Sequence, residues 1–317
     1  MDLSIIIPAY NESHTIAQTI GDYQTTFPDA RIVVIDNNSS DNTGGIAQGV
    51  LRGGKDLLLT ERRQGKGAAV KNGLSRVSSD VYIMVDGDGT YPASDAARLL
   101  KVLVDDRCDM VVGDRVSRGT YASQNTRPGH NLGNQFLTSF ISFLAGQKYV
   151  DVLSGLRIMS RPFVNVLDVR SSGFQLETEL NVIAAYVRAE VVEVPIDYLQ
   201  RPEGSKSKLN TIGDGAKIIW FALMNWLSFY PLQPLGIFAT FAFTVSVILG
   251  IQVFVIFFEF GQMPYSSTAI AAAAAGLVGL QSIFAGLILR ILMRERRRSE
   301  VARLLEMRRL WNAKLDE

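Results

Sequence analysis

Two carboxylates separated by one glycine, Asp86-Gly87-Asp88, follow an apolar run of strand length. Carboxylate oxygens are the ligands that hard divalent cations prefer, and a turn beginning at Gly87 would let both side chains reach one ion. A cation held there could in turn bind a diphosphate. Taken alone, Asp-Gly-Asp is more typical of an ordinary turn that caps a helix. The interpretation of the acidic pair therefore depends on the other polar motifs of the chain.

Polar segments also follow the first two predicted strands. The segment Pro8-Ala-Tyr-Asn-Glu12 comes after the first strand, and Asp36 opens a polar stretch after the second strand. A carboxylate after the second strand suits the base or ribose of a nucleoside, and Asp41 or Asn42 is expected to cap the next helix. Each segment by itself is equally typical of a turn with helix caps.

A third polar segment, Arg62-Arg-Gln-Gly-Lys66-Gly67, opens a predicted helix. It offers cations and backbone N–H groups at a helix start, which together attract an anion. The spacing matches neither the Walker phosphate loop nor the Gly-x-Gly-x-x-Gly fingerprint. We therefore expect an anion contact here that is not of either type.

Strand and helix patterns alternate over the segments that would position these residues. The predicted strands are Leu3–Ile7, Arg31–Ile35, Asp56–Leu59, Val81–Val85 and Met110–Gly113, and the predicted helices are Ser13–Thr25, Thr43–Leu51, Gly67–Val77 and Ser94–Val104. This rhythm predicts a parallel sheet with helices on both faces, whose carboxyl strand ends face a ligand crevice. Further along we predict helices at His130–Ala145 and Leu176–Arg188, and strands at Leu156–Met159 and Val191–Ile196.

Composition narrows the protein class. The 317 residues predict about two domains, and the net charge of +1 argues against a general nucleic-acid-binding protein. One cysteine, Cys108, excludes an intramolecular disulfide and fits a reducing compartment. The N-terminus lacks a basic segment before its apolar residues, so we expect a first strand there and not a signal peptide.

Two long uncharged segments lie in the C-terminal third. Neither Pro231–Phe258 nor Ser266–Leu289 contains a charged residue, and each exceeds the roughly 20 residues that span a bilayer as a helix. Buried helices of a soluble protein are the alternative, which two consecutive segments of this length disfavour. Basic residues precede the first segment and follow the second, whereas the short connection lacks them. The positive-inside rule thus predicts that both termini are cytoplasmic.

Aromatic residues, Trp220 and Trp226 among them, precede the first span and predict an interfacial amphipathic helix. The small residues Ala275-x-x-x-Gly279 make a homo-oligomer plausible through helix association. The predicted domains are a cytoplasmic catalytic domain at 1–210, an interfacial helix at 211–230, transmembrane helices at 231–258 and 266–290, and a basic cytoplasmic helix at 291–317.

In their order along the chain, the motifs resemble those of family 2 glycosyltransferases, in the branch of dolichyl-phosphate mannose synthase and the bacterial polyprenyl-phosphate glycosyltransferases. The matching segments are Pro8-Ala-Tyr-Asn-Glu12, Asp36 with Ser39 and Asp41, Gln64-Gly-Lys-Gly67, Asp86-Gly-Asp88, Gly113-Asp-Arg115, Asp151-Val-Leu-Ser-Gly-Leu-Arg157, Phe174-Gln-Leu-Glu177-Thr-Glu179 and Arg201-Pro-Glu-Gly-Ser-Lys206-Ser-Lys208. The resemblance covers about residues 3–215. It implies a GT-A, Rossmann-like nucleotide-sugar-binding domain followed by a two-helix transmembrane hairpin.

The resemblance also implies an activity, which is inverting transfer of one sugar from a nucleotide-sugar to polyprenyl phosphate at the cytoplasmic face. Mg²⁺ or Mn²⁺ on Asp86 and Asp88 would assist the departure of the nucleotide, and Asp151 matches the position proposed for a base. Nucleotide-sugar binding is expected at Pro8, Tyr10, Glu12, Asp36, Lys66, Asp86 and Glu177, and binding of the acceptor phosphate is expected at Arg115, Arg201, Ser205 and Lys206.

One departure from the family pattern affects the metal site. Relatives often carry a glutamine two residues after the second aspartate, whereas this chain has Thr90. The third protein ligand and the type of donor therefore stay open. Glu177 and Glu179 lie near a predicted helix start, where carboxylates also complement the helix dipole.

Other functions compatible with the sequence are a processive polysaccharide synthase and an inactive nucleotide-sugar-binding scaffold. A synthase would need more spans and usually a Gln-x-x-Arg-Trp motif, which the sequence lacks. For the donor we favour UDP-glucose or a UDP-N-acetylhexosamine, with GDP-mannose next.

Overall fold

The computed structural model describes residues 1–119, 130–173, 175–201, 211–261 and 266–316. The chain forms two compact units. The first contains Met1–Leu223 together with Glu300–Glu317, and the second contains Met224–Ser299.

A seven-stranded sheet forms the centre of the first unit. Its strands are β1 (Leu3–Ala9), β2 (Arg31–Asp36), β3 (Leu57–Thr60), β4 (Val81–Met84), β5 (Met110–Asp114), β6 (Arg157–Ser160) and β7 (Val191–Pro195). The strand order is β3-β2-β1-β4-β6-β5-β7. Each predicted strand is present, with ends that differ by one or two residues.

The prediction of a parallel sheet holds for the first four strands and for the β5–β7 pair. It is wrong for β6, which runs antiparallel to β4 and to β5. Arg157, the first residue of β6, pairs with Met84 and Val112 near the last residues of their strands. The chain therefore enters β6 at the edge of the sheet where β4 and β5 end, so β6 runs in the opposite direction to both.

Helices lie between the strands in the sequence and follow the last one. They are α1 (Ile16–Thr26), α2 (Thr43–Val50), α3 (Lys66–Arg76), α4 (Ala93–Asp105), α5 (His130–Ala145), α6 (Arg161–Val166), α7 (Leu176–Val187) and α8 (Thr211–Phe229). Helix α4 shows why they form, because Ala96, Leu99 and Leu103 recur at helical spacing and are buried in the core. Helix α6 was not predicted; it has six residues, too few for a periodic pattern, and Ser160 caps it by accepting from Phe163 N.

The second unit contains the last residues of α8, from Met224 on, together with α9 (Leu232–Phe260) and the part of α10 (Ser266–Leu315) that ends at residue 299. Both α9 and α10 are long and apolar enough to cross a membrane, and most of their apolar side chains are exposed. A Cβ on Gly279 would lie 3.2 Å from the Phe243 ring. The close approach that Gly279 permits therefore joins the two helices of one chain.

Helix α10 continues without a break through the predicted boundary at residue 290, and its last turns belong to the first unit. There Trp311 is buried in the core of the sheet domain. Arg308 pairs with Asp109, and Lys314 donates to Asp80 at 2.7 Å. Burial by itself raises the pKa of Asp80, but its hydrogen bonds, above all from Lys314, lower it below the usual value. The basic C-terminal residues thus neutralise buried carboxylates of the first unit.

Candidate active site

The predicted site residues meet at the carboxyl edge of the sheet. Ala9 at the end of β1 pairs with Asp36 at the end of β2, and Asp36 pairs with Thr60 at the end of β3. Between the strand ends, Asn37 N donates to Ala9 O at 2.8 Å. The loop with Asp86 and Asp88 follows β4, the neighbour of β1. Register alone thus brings together motifs that are 80 residues apart.

Lys66 lies between two acidic side chains of this site. Its ammonium pairs with both Asp86 and Glu177, and the side chain is only 10% exposed. Burial alone would lower the pKa of Lys66, but the two carboxylates outweigh it and raise the pKa well above the ordinary value. Lys66 is therefore a fixed positive charge that ties α3, the loop after β4 and α7 together.

The start of α3 differs from the expectation of exposed backbone N–H groups. Ala68 N donates to Ser172 O at 3.2 Å, and a Cβ on Gly67 would lie 2.8 Å from the Ser171 carbonyl carbon. The 171–173 segment, which follows about 100 residues later in the chain, packs directly on this turn. Within the predicted segment, Gly65 N donates to Asn37 Oδ1 at 2.6 Å and the Lys66 side chain lies in the site, so the anion contact stays a prediction.

Asp88 is buried and fully engaged. Thr90 donates to its Oδ1 through both the hydroxyl, at 2.6 Å, and the backbone N–H, at 3.2 Å. Arg201 pairs with its Oδ2 at 2.5 Å. Thr90, which replaces the usual family residue, thus orients the carboxylate that was predicted to bind metal.

Arg201 was predicted to contact the acceptor phosphate, but here it binds Asp88. Burial would lower the pKa of Arg201, and the carboxylates of Asp88, Asp86 and Glu12 outweigh it and raise the pKa. The guanidinium therefore compensates a cluster of acidic groups. Ser205 and Lys206, the other two predicted contacts of this loop, lie outside the described residues.

The residues present fit a divalent cation through their chemistry. Asp86 and Asp88 supply ionised oxygen donors, and each is compensated by a basic side chain in this structure. Within the described part of the chain, no group of three or more His, Cys, Asp or Glu side chains is arranged to hold a metal.

Arg115 and Asp151 form a buried, two-pronged ion pair. Arg115 Nε donates to Asp151 Oδ2 at 2.7 Å and Nη2 donates to Oδ1 at 2.8 Å. Burial raises the pKa of Asp151, but the charge and hydrogen bonds of Arg115 outweigh it and lower the pKa. The Arg115 guanidinium also lies 5.6 Å from the centre of the Tyr198 ring. Asp151 is therefore a weak proton acceptor and holds Arg115 in place.

The remaining predicted residues differ in their exposure. Pro8 is buried inside β1, where it pairs with Ile35. Glu12 is 7% exposed, and Thr15 Oγ1 donates to its Oε2 at 3.4 Å. Tyr10 is half-buried at the same edge.

Asp36 is also half-buried, and it accepts from Ser39 N at 3.3 Å. Asp41 accepts from Thr43 N at 3.0 Å, which agrees with its predicted place at the start of α2. Glu179, unlike Glu177, accepts from the backbone of Arg170 and Ser171 at 2.8 and 2.9 Å. Glu179 therefore holds the segment that covers α3.

Two aromatic residues of the site, Tyr91 and Tyr198, were not predicted from the sequence. Tyr91 is buried, accepts from Gly155 N at 2.8 Å, and packs edge-on against Tyr198 with ring centres 5.5 Å apart. Burial raises the pKa of Tyr91, and the charges of Arg115 and Asp86 act on it with opposite signs. The Tyr91 hydroxyl is thus influenced by charges of both signs. The sequence feature that could have identified Tyr91 is its position shortly after the acidic motif.

The family model for glycosyl transferase family 2 matches residues 4–167, which include β1 to β6 and the acidic loop. This chain belongs to glycosyl transferase family 2. The predicted resemblance is thereby confirmed. The sheet of this glycosyltransferase, with Asp86 and Asp88 after its fourth strand, is the GT-A fold expected from the motifs.

Two relatives extend the match beyond the family model. Glycosyltransferase AglJ from Haloferax volcanii is 31% identical over 292 residues, which cover 90% of this chain and 91% of the relative. The UDP-N-acetylglucosamine–dolichyl-phosphate N-acetylglucosaminyltransferase from Methanococcus voltae is 29% identical over 240 residues, which cover 69% of this chain and 94% of the relative.

A solved structure shows the same fold. Glucosyl-3-phosphoglycerate synthase from Mycobacterium tuberculosis, in complex with Mn²⁺, UDP and phosphoglyceric acid, superposes with a TM-score of 0.54 at 20% identity. The superposition covers 71% of this glycosyltransferase and 78% of that chain.

Proposed function

We propose that this glycosyltransferase transfers a single sugar from a nucleotide-sugar to polyprenyl phosphate and inverts the anomeric centre. The observation that carries this proposal is the presence of two sets of charged side chains near Tyr91. On one side lie the carboxylates Asp86 and Asp88, and on the other lies Arg115, which Asp151 holds in place. This arrangement suits a metal-bound diphosphate donor next to an acceptor phosphate. The Methanococcus voltae relative, by its name, acts on dolichyl phosphate.

Mg²⁺ or Mn²⁺ is the proposed cofactor, with Asp86 and Asp88 as its protein ligands. When bound, the ion neutralises the negative charge that develops on the departing nucleotide diphosphate. Mn²⁺ in the structure of the Mycobacterium tuberculosis enzyme supports this assignment, and oxygen atoms of the diphosphate would complete the coordination. Thr90 keeps Asp88 oriented for this role.

The acceptor requires orientation more than deprotonation. A phosphate monoester has a second pKa of about 6, so it is mostly dianionic at neutral pH. Arg115 is the proposed contact for this dianion, and Asp151 acts through Arg115. Arg201 can reach the acceptor only after it leaves Asp88, which becomes favourable once another cation compensates that carboxylate. Because the phosphate oxygen attacks the anomeric carbon directly, we expect an α-linked donor to give a β-linked product.

For the donor we propose UDP-glucose or a UDP-N-acetylhexosamine, with GDP-mannose next, and the name of the Methanococcus voltae relative favours a UDP-sugar. For the location we propose an integral membrane protein, with the catalytic domain and both termini in the cytoplasm. Helices α9 and α10 are long and apolar enough for two spans, and basic residues flank their outer ends. In this arrangement a lipid headgroup would meet a cytoplasmic donor at the cytoplasmic surface of the membrane.

A reconstituted transfer assay tests the proposal. Purified protein is incubated in detergent with Mn²⁺, undecaprenyl phosphate and a panel of UDP- and GDP-sugars, and the lipid product is weighed by mass spectrometry. We expect the addition of one sugar, a β linkage by NMR, and loss of product in the Asp88→Ala variant. A ladder of products would indicate a processive synthase, and the absence of product with every donor would indicate a scaffold.

A further inference from the structure

Arg157 is the largest fully buried side chain among the described residues, and it has no assigned role. It begins β6 immediately behind the loop of residues 151–155, which the following paragraphs call the 151–155 loop. Burying a guanidinium costs several kcal/mol unless its donors are satisfied. The partners of Arg157 therefore indicate what its burial achieves.

All three guanidinium nitrogens donate to oxygen atoms. Nε donates to Ser154 O at 3.1 Å, Nη2 donates to Val152 O at 3.1 Å, and Nη1 donates to Asn181 Oδ1 at 2.8 Å. Asn181 also donates through Nδ2 to Val152 O at 3.1 Å. Arg157 thus binds two carbonyls of the 151–155 loop, and Asn181 of helix α7 binds one of them, Val152 O.

None of these acceptors is a carboxylate. Burial lowers the pKa of Arg157, while the more distant charges of Glu177 and Asp151 act in the opposite direction. A guanidinium nevertheless stays protonated in proteins, and its planar fork fixes the directions of its hydrogen bonds. Arg157 therefore acts as a rigid three-point support for the loop.

The 151–155 loop connects the two halves of the site. At its start, Asp151 binds Arg115 in the two-pronged pair. At its end, Gly155 donates to Tyr91 and packs against Asp86, where a Cβ would lie 2.9 Å from the Asp86 carboxyl carbon. The carbonyls that Arg157 holds lie between these ends. A shift of the loop would therefore move Arg115 relative to Asp86.

We propose that Arg157, together with Asn181, is a positioning residue of the transfer reaction. It sets the distance between the cation proposed for the acceptor phosphate and the carboxylate proposed for the metal-bound donor, and it contacts neither substrate. This inference rests on the proposed function, because it takes Arg115 as the acceptor contact. It adds a residue that places the acceptor contact relative to the donor carboxylate, without altering the donor subsite itself.

The test compares Arg157→Lys with Arg52→Lys. A lysine keeps the charge but has a single ammonium in place of the fork. Arg52 is the matched control, because it also supports backbone, donating to Pro28 O at 2.7 Å and to Ala30 O at 2.6 Å. Its ion pair with Asp56 lies in the turn before β3, away from the site. Both variants lose hydrogen bonds that support a loop.

Kinetics and nucleotide binding are then measured in the full-length protein. For Arg157→Lys we expect kcat/KM for undecaprenyl phosphate to fall about 10- to 100-fold, the range for sub-ångström to 1 Å misplacement of reacting groups. Affinity for UDP with Mn²⁺, measured by calorimetric titration, should equal that of the wild type, because Asp86 and Lys66 are not altered. Arg52→Lys should lower the melting temperature without either kinetic change. Asn181→Ala should reproduce the selective loss, and it replaces Arg157→Lys as the test if that variant does not fold.

The outcomes separate the two proposals. If the wild type transfers sugar and both Arg157→Lys and Asn181→Ala keep wild-type acceptor kinetics, the positioning role is refuted and the proposed function stands. An equal fall in acceptor and nucleotide parameters would also refute it, because it would indicate general disruption. A wild type that transfers nothing to undecaprenyl phosphate refutes the proposed function, and the positioning role with it.

Discussion

Gly155→Ala should inactivate the enzyme while leaving it folded. A Cβ at this position would lie 2.9 Å from the Asp86 carboxyl carbon and 3.1 Å from Lys66 Nζ. Carbon atoms in favourable contact are about 3.5–4.0 Å apart, so Asp86 must retreat by about 0.6–1 Å. Misplacement of this size in a reacting centre costs about 10²-fold in rate. We therefore expect kcat to fall about 100-fold.

The expected loss of stability is much smaller. The atoms that the new methyl group meets are the ends of two side chains and not backbone, so they can move. Overpacking costs about 1–3 kcal/mol, and the replacement of glycine recovers about 0.4–1 kcal/mol from the unfolded state. The net free energy of unfolding should therefore fall by no more than about 2 kcal/mol.

The assay combines urea unfolding with steady-state transfer at saturating donor and with a Mn²⁺ titration. Gly21→Ala in α1 is the control, since no atom lies within 4 Å of its added Cβ and alanine favours a helix. The control should keep its activity and gain slight stability. Wild-type kcat in Gly155→Ala would show that Asp86 need not occupy its observed position. A loss of stability large enough to unfold the protein would refute the claim that the two side chains absorb the clash.

Three further predictions concern the metal, the acceptor side and the membrane. Thr90→Val removes the hydroxyl that orients Asp88, so Mn²⁺ affinity measured by titration should weaken about 10- to 100-fold; unchanged affinity would exclude this supporting role. Asp151→Asn should raise KM for polyprenyl phosphate by weakening the hold on Arg115, with the affinity for UDP as the unchanged reference. Because the pKa of Asp151 is lowered by folding, its ionised form contributes stability above the ordinary carboxyl pKa of about 3.9, and this contribution is lost as the pH falls through the lower folded value. The stability difference between wild type and Asp151→Asn should therefore shrink below about pH 4 in urea titrations, and a constant difference would contradict this. A tag at the C-terminus should be accessible to protease from the cytoplasmic side of oriented vesicles and one within Glu259–Tyr265 only from the other side, and the reverse pattern would refute the proposed topology.

Local patterns in the sequence were sufficient for the elements and for the chemical character of the site. The apolar runs of β1, β2 and β4 are buried on both faces, so each reads as a continuous hydrophobic strand whatever its neighbours are. The same holds for α9, whose length and uncharged run up to Phe258 are visible without any tertiary contact. Asp86 and Asp88 were found because a strand end and a turn are local features.

Tertiary structure alone decided which of these residues contact each other. The antiparallel direction of β6, the packing of the 171–173 segment on α3, and the continuation of α10 into the catalytic unit all depend on contacts between distant parts of the chain. Arg201 illustrates the consequence: its sequence context predicted an acceptor contact, yet the nearest buried negative charge in the fold is Asp88, 113 positions earlier in the sequence. In the sequence, Arg157 was likewise only one more residue of a family motif. Its contact with Asn181 depends on how helix α7 and the 151–155 loop approach each other in the fold. No periodicity or spacing in the sequence records that approach.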